Sequence, residues 1–465
     1  MNTQPIYDVC IIGAGPGGYV AAIRAAQLGL KAVIIEKDKP GGVCLNIGCI
    51  PSKAIIHQAG VFQSVHALAE LGITVDLKDF DYRNVFAKSR QAADRLSRGV
   101  QYLLKKNKVD LVEGRATAVR PGEITLENGQ VIKGKNILLA TGSRPRELAA
   151  FPFDESHILS STGALMLQKL PESLLILGSG AIGVEFAHIM NAFGVTVHLV
   201  EMLERIVPLE DDDVSAALHK VFKKRGIAIY PSTKASSFKQ KDDRLQVELT
   251  GQNNEQKTVT VEKILVSAGR LPNTENLGLE EAGVKLDDAG FIQVGDYYQT
   301  DVPGIYAIGD VVRTPLLAHV ASKEGEIAVE HMAGRKTSAR LDPLSIPAAT
   351  YCEPQIASFG YTERQAAAKN IPYKKSVFPY QGVGKAVAIG QPEGFVKILT
   401  DPKTGEILGA HLFGAEATEL VHECLLGRTA ELLPEDLSTM IHAHPTLSES
   451  LMEVMREVDG AAIQI

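Results

Sequence analysis

One pattern occurs twice in these 465 residues, and it fixes most of what the chain can fold into. Tyr7-Asp-Val-Cys-Ile-Ile12 is a short apolar run that gives way to Gly13-Ala-Gly-Pro-Gly-Gly18. Apolar residues at helical spacing follow through Leu30, and a second apolar run, Ala32-Val-Ile-Ile35, ends at Glu36. Strand, glycine turn, helix, strand and acid together form the complete dinucleotide-binding fingerprint. The second copy starts 165 residues later: Leu174-Leu-Ile-Leu177, Gly178-Ser-Gly-Ala-Ile-Gly183, a helix from Val184, then Thr196-Val-His-Leu-Val200 ending at Glu201. In both copies the acid falls 23 residues after the first glycine. Each copy leads through a hairpin-rich region to a strand that opens onto small residues, Ala140-Thr141-Gly142-Ser-Arg-Pro145 and Ala268-Gly269-Arg-Leu-Pro272. The repeat predicts an α/β chain with two Rossmann-like dinucleotide-binding domains. An enzyme that holds two dinucleotides usually passes electrons between them.

In the first copy Gly13 permits the tight turn, Gly15 lets a pyrophosphate reach the helix N-terminus, and Gly18 allows close helix–strand packing. Glu36 would accept hydrogen bonds from an adenosine ribose. Glu201 would do the same in the second copy and would repel a 2′-phosphate, which favours NAD over NADP; the nearest arginine, Arg205, is four positions further on. The small-residue crossing at Thr141 and Gly142 can press against a bound cofactor or be a plain turn. A strand ending at Gly309-Asp310 suits contact with a ribitol or ribose hydroxyl, or again a simple strand-end turn.

Just after the first fingerprint stands Gly41-Gly-Val-Cys-Leu-Asn-Ile-Gly-Cys-Ile-Pro-Ser-Lys53, with Cys44 and Cys49 five residues apart. A bridge across so short a loop removes little unfolded-chain entropy, so it would be a redox reagent and not a staple. The spacing does not suit zinc or a thioredoxin-like Cys-x-x-Cys motif. Taken alone, the pair also reads as two buried cysteines filling core space.

The length calls for two to four domains. No run of eighteen or more apolar residues lacks a charge, which gives no spanning helix, and a net charge of −7 gives no reason to expect nucleic acid. Five cysteines are too few and scattered for an extracellular disulfide framework, and residues 1–10 run almost directly into an apolar strand with neither a basic leader nor a cleavage site; a cytoplasmic address follows, which a processed organellar enzyme would share. Residues 52–107 read as mainly helical, with an interruption at 71–77 that is loop or weak strand. Arg120-Pro-Gly-Glu123 and Asn128-Gly129 read as turns, the latter a hairpin. From about Pro343 short alternating strands and helices, including 415–424 and 448–458, indicate an α+β domain. Within it, His444-Pro-Thr-Leu-Ser-Glu449 puts a carboxylate at the opening of a helix, where it could return to the imidazole and make a base for a thiol. The same pair would serve as a cap or surface ion pair, and His442 is a rival. A metal site there lacks a third ligand.

With both fingerprints, the Cys-x4-Cys segment and the His444–Glu449 segment in hand, the chain resembles the flavin-dependent pyridine nucleotide-disulfide oxidoreductase family over residues 5–460. The resemblance implies FAD held at Gly13, Gly15, Gly18, Glu36, Gly42, Lys53, Thr141, Gly142 and Asp310, with Ala318 also at a cofactor. It implies NAD at Gly178, Gly180, Gly183 and Glu201, with Glu185 close to the nicotinamide and Gly269 in the second crossing, and no metal. Cys44 would exchange with a dithiol substrate and Cys49 would touch the flavin. A homodimer would bring His444 of one subunit, backed by Glu449, to the disulfide of the other. The implied layout is an FAD domain at 1–145, an NAD domain at 146–272, a central domain at 273–342 and a C-terminal α+β dimerisation domain at 343–465. Within the family the likeness is to the branch that oxidises protein-bound dihydrolipoamide with NAD, serving a 2-oxo acid dehydrogenase or glycine cleavage complex through its lipoyl domains and core. Sister activities are an NADPH-dependent reductase for glutathione, trypanothione or mercuric ion, and a soluble transhydrogenase. Glu201 and the lack of a following arginine pair speak against the first, and the cysteine pair against the second. Val43, Cys352 and Gln355 depart from the family's usual residues.

Overall fold

The computed structural model describes residues 6–464; residues 1–5, on which part of the expectation about a leader rests, lie outside the described residues. The two apolar runs that close the first and open the second fingerprint, Ala32–Glu36 and Ser173–Leu177, are buried at every position. Strands covered on both faces are the kind that parallel sheets use in their interior. In the first sheet Ile6–Ile12 is central: Ile11 lies opposite Ile34 on one side and Leu138 on the other, both pairings parallel. In the second, Ser173–Leu177 lies between Thr196–Val200 and Lys263–Val266, also in parallel. The helices Pro16–Gln27 and Ala181–Ala192 start directly after Gly15 and Gly180, with no side-chain cap on either. Their first backbone amides are therefore left for another acceptor.

The segments that leave the two sheets pair with each other. Ser143–Pro145 and Arg270–Pro272 form a two-stranded antiparallel ribbon. Around it Thr141 Oγ1 donates to the Asn273 carbonyl at 2.7 Å, the Asn273 amide to Gly142 O at 2.9 Å and the Arg146 amide to Gly269 O at 3.0 Å. After this ribbon the chain returns to the first sheet, where Ile305–Ala307 pairs in parallel with Val131–Leu139 and delivers Asp310.

Residues from 348 onward build a five-stranded antiparallel sheet, in the order Ala348–Thr350, Gln355–Gly360, Ile407–Gly414, Phe395–Thr400, Lys374–Pro379. The helices expected at 415–424 and 448–458 occupy Ala417–Thr429 and Glu449–Glu457. The expected turns join antiparallel strands at both places, Ala116–Arg120 with Glu123–Leu126 and the latter with Val131–Leu139. Residues 71–81 hold no strand. One difference concerns the redox segment. Helix was expected from residue 52, but Gly42–Ile47 and Cys49–Glu70 are both helical, separated by Gly48, whose φ of −150° and ψ of −116° lie outside the helical region. Each cysteine thus sits on its own helix.

The second dinucleotide unit is fastened to the C-terminal domain by a buried cation. Lys397 is 0% exposed, and its ammonium reaches Asp211 at 2.6 Å, Asp213 at 2.7 Å and Glu363. Arg364 adds a contact to Asp212 at 3.0 Å. Burial would raise the Glu363 carboxyl, but Lys397 and Lys375 bring it below the usual carboxylate value. Its contribution is complete above its unfolded pKa and is lost as pH falls through the lowered folded value. Lys397→Met strands these carboxylates and is expected to cost about 3 kcal/mol, read as a lower denaturant midpoint at neutral pH. The deficit should shrink on acidification, as the carboxylates become neutral.

Candidate functional site

The two glycine turns are cradles of the same design. At Gly13, φ is +102° and an added Cβ would meet Ala140 O at 2.3 Å; at Gly18 a Cβ would meet Gly13 O at 1.9 Å. The corresponding clashes are 2.7 Å from Gly178 to Ser267 O and 2.0 Å from Gly183 to Gly178 O. Gly15 and Gly180, by contrast, have nothing within 4 Å of where a Cβ would stand. Each cradle therefore opens at the uncapped helix N-terminus, where a phosphate can approach the amides. The acids are fixed by their own loops. Glu36 accepts from the Ala14 and Asp38 amides at 2.7 and 2.9 Å. Glu201 accepts from the Ser179 amide and hydroxyl at 2.9 and 2.8 Å and from the Leu203 amide at 2.9 Å. This chemistry fits a dinucleotide in each unit.

The redox segment lies against the first cradle. The Gly41 amide donates to Ala14 O at 2.7 Å, and a Cβ on Gly42 would stand 2.7 Å from Gly15 Cα. Cys44 and Cys49, on adjoining helices, act on each other electrostatically. The neighbouring Cys44 is the main reason Cys49 is held below the ordinary thiol value; burial opposes the shift and Lys53 assists it. Cys44 is pushed up by its neighbour Cys49 and by burial, with Lys53 opposing the shift. The pair is electrostatically unequal before any cofactor is considered.

Lys53, one helical turn beyond Cys49, donates to both oxygens of Glu185 at 2.9 and 3.0 Å. The family resemblance puts these two residues at different cofactors; the structure joins them across 132 residues. Asp310 accepts from the Ser143 hydroxyl at 2.5 Å and lies 3.8 Å from Arg270, which in turn donates to Ser143 Oγ at 2.7 Å and Ser143 O at 2.8 Å. Ser143 and Arg270 were not singled out from sequence, although both stand inside the small-residue crossings that were. Thr141 spends its hydroxyl on Asn273, Gly142 and Gly269 take φ of +70° and +100° beside open space, and Ala318 begins an uncapped helix, Ala318–Met332.

His444 and Glu449 do meet: Nδ1 donates to the carboxylate at 2.9 Å, and the Thr446 amide donates to its other oxygen at 2.9 Å. Burial would raise Glu449, but the Thr446 amide and His444 together bring it below the usual value. With Nδ1 occupied, Nε2 is the free acceptor. The side chain of His444 is 71% exposed, and among the described residues no hydrogen bond or ion pair joins it to Cys44 or Cys49 of its own chain. The rival, His442, is 2% exposed in its side chain and uses both ring nitrogens inside the chain, on Met440 O and Glu423. Asp211, Asp213 and Glu363 cluster as metal ligands would, but Lys397 occupies the centre. Of the departures, Gln355 accepts from the Thr418 amide and hydroxyl at the start of helix Ala417–Thr429, Cys352 is fully buried with its thiol on Pro354 O, and Val43 is part-exposed. Among the described residues no helix is long and apolar enough to cross a membrane.

Two dinucleotide cradles converging on a polarised thiol pair define a redox protein of the two-cofactor, dithiol class. Comparison with known proteins agrees. Residues 7–325 match the model of the pyridine nucleotide-disulphide oxidoreductases, and residues 346–455 match the dimerisation domain of the same proteins. The chain is 41% identical to dihydrolipoyl dehydrogenase of Corynebacterium glutamicum over 98% of its own length and 99% of the relative's. To the dihydrolipoyl dehydrogenase of Thermus scotoductus it is 41% identical over 99% of each. Among solved structures, LpdA from Mycobacterium tuberculosis superposes with a TM-score of 0.90 at 27% identity, covering 97% of this chain and 99% of that one. The chain belongs to the pyridine nucleotide-disulphide oxidoreductase family, and FAD and NAD are its cofactors.

If the inequality of the thiols is due in part to Lys53, Lys53→Met should raise the pH at which the reduced protein gains its first thiolate by about one unit or more. Thiolate ultraviolet absorbance against pH measures it.

Proposed function

We propose that the chain oxidises protein-bound dihydrolipoamide to lipoamide through Cys44 and Cys49 and reduces NAD. FAD occupies the cradle of Gly13, Gly15, Gly18 and Glu36, reaching Gly42, Lys53, Asp310 and Ala318; NAD occupies that of Gly178, Gly180, Gly183 and Glu201, near Glu185. The four-part division at residues 145, 272 and 342 belongs to the same reading. The observation that carries it is the Cys44 and Cys49 segment placed on the first cradle, together with 41% identity to a dihydrolipoyl dehydrogenase over 98% of the chain.

The chemistry balances. The first substrate thiol loses its proton to His444 Nε2 of the second subunit and attacks Cys44 sulfur. The Cys44–Cys49 bond breaks, and Cys49 leaves as the thiolate that Lys53 favours. The second substrate thiol then attacks the mixed disulfide, lipoamide departs, and Cys44 takes up a proton through the same imidazole. Glu449 holds that ring with Nε2 facing outward and stabilises it when charged. The chain now carries two electrons; when bound, FAD accepts such a pair beside Cys49 and NAD takes it onward. The exposed His444, whose Nε2 makes no hydrogen bond among the described residues, is what a base serving a partner's site requires. Lipoyl domains and the core of a 2-oxo acid dehydrogenase or glycine cleavage complex are the corresponding partners.

Steady-state assays should show strong preference for dihydrolipoamide with NAD; comparable turnover of NADPH with glutathione disulfide would sink the assignment. His444→Gln should keep FAD and the dimer while losing roughly 10²- to 10⁴-fold in thiol oxidation.

A further inference from the structure

Lys53 is held from two directions, and only one of them is Glu185. The ring of Tyr351 faces the Lys53 ammonium with 4.4 Å between Nζ and the ring centroid. The amide of the same residue donates to Glu185 Oε1 at 3.0 Å. Tyr351 follows directly on strand Ala348–Thr350, at the point where the C-terminal domain reaches the redox helices. Lys53 is on helix Cys49–Glu70 and Glu185 on helix Ala181–Ala192. Three parts of the fold thus meet in one ion pair. Neither partner is free to turn away: the amide fixes the carboxylate, and the aromatic face occupies the side of the ammonium that water would otherwise take.

We infer that Tyr351 is a positioning residue of the redox centre, its ring holding the Lys53 ammonium in the orientation from which Lys53 stabilises a thiolate at Cys49. The inference rests on the reading of Cys49 as the flavin-side thiol and goes beyond it by assigning a residue of the C-terminal domain to the control of that thiol. The other groups that act on the centre stay in place when only the ring is changed. Cys44 contributes from Gly42–Ile47, Glu185 from the second cradle helix and Arg270 from the crossing ribbon, while Glu419 of helix Ala417–Thr429 faces the Tyr351 phenol. Among the described residues the phenol hydroxyl makes no hydrogen bond to the ion pair, so the aromatic face and the backbone amide are the working parts.

The test is the pH dependence of the long-wavelength charge-transfer absorbance of the anaerobically two-electron-reduced holoenzyme. Tyr351→Leu removes the face and keeps the amide; its midpoint should move upward by about one pH unit, a tenfold loss of thiolate at a given pH. Tyr351→Phe keeps the face and should titrate as the wild type. Tyr351→Met fills much of the ring volume without a π face and should follow the leucine variant, which keeps the question open to measurement if the smaller side chain loses FAD. An unmoved midpoint in both ring-less variants, or an equal shift in the phenylalanine variant, overturns the inference. Absence of the band in wild type would instead overturn the reading of Cys49 on which it rests, and the inference with it.

Discussion

The antiparallel ribbon of Ser143–Pro145 with Arg270–Pro272 is the contact on which the rest of the site depends. Each sheet ends in a glycine cradle, and a cradle by itself can only bind. Because the segments leaving the two sheets are hydrogen-bonded to each other, the cradles cannot be separated without breaking backbone pairing. Asp310 is tied to the same ribbon through Ser143 and Arg270. Buried hydrogen bonds of this kind are costly to leave unmade, which gives the junction a defined geometry and not merely proximity.

Asymmetry of the thiol pair follows from where that junction places the helices. Gly48 splits the redox segment so that Cys44 and Cys49 belong to different helices, and only the second helix carries Lys53 one turn on. Each sulfur acts on the other, and Lys53, which favours the thiolate at both, is set one turn beyond Cys49 on the same helix. Glu185 prevents Lys53 from being an unpaired charge in a part-buried place, at the cost of tempering its effect on Cys49.

Local patterns made the cradles legible in the sequence. Gly18 and Gly183 close on Gly13 and Gly178 of the same turns, and Glu36 and Glu201 bond to amides within the same loops, so most of what marks each cradle lies within two dozen residues, while the strands that press on Gly13 and Gly178 come from Ala140 and Ser267. His444 and Glu449, five positions apart, were readable for the same reason. What was not readable is contact between distant stretches. Lys53 with Glu185, Ser143 with Asp310, and Tyr351 with both members of the ion pair each join segments more than a hundred residues apart, and no periodicity records such a meeting. The second redox helix was expected to begin three residues late because glycine and proline at 48 and 51 hide its first turn, although proline is well suited to the opening turn of a helix.

Lys397 has a wider meaning for how the second unit is attached. Three carboxylates around a central charge are a common way to hold a dissolved cation, and such a seam would strengthen or weaken with the composition of the surrounding solution. Here the cation is an amino group bonded to the chain itself, wholly enclosed and unable to diffuse away. The protein carries its own counter-ion. Chelators have nothing to extract, competing ions have no vacancy to enter, and the joint between nucleotide unit and C-terminal domain is set by the gene and not by the medium.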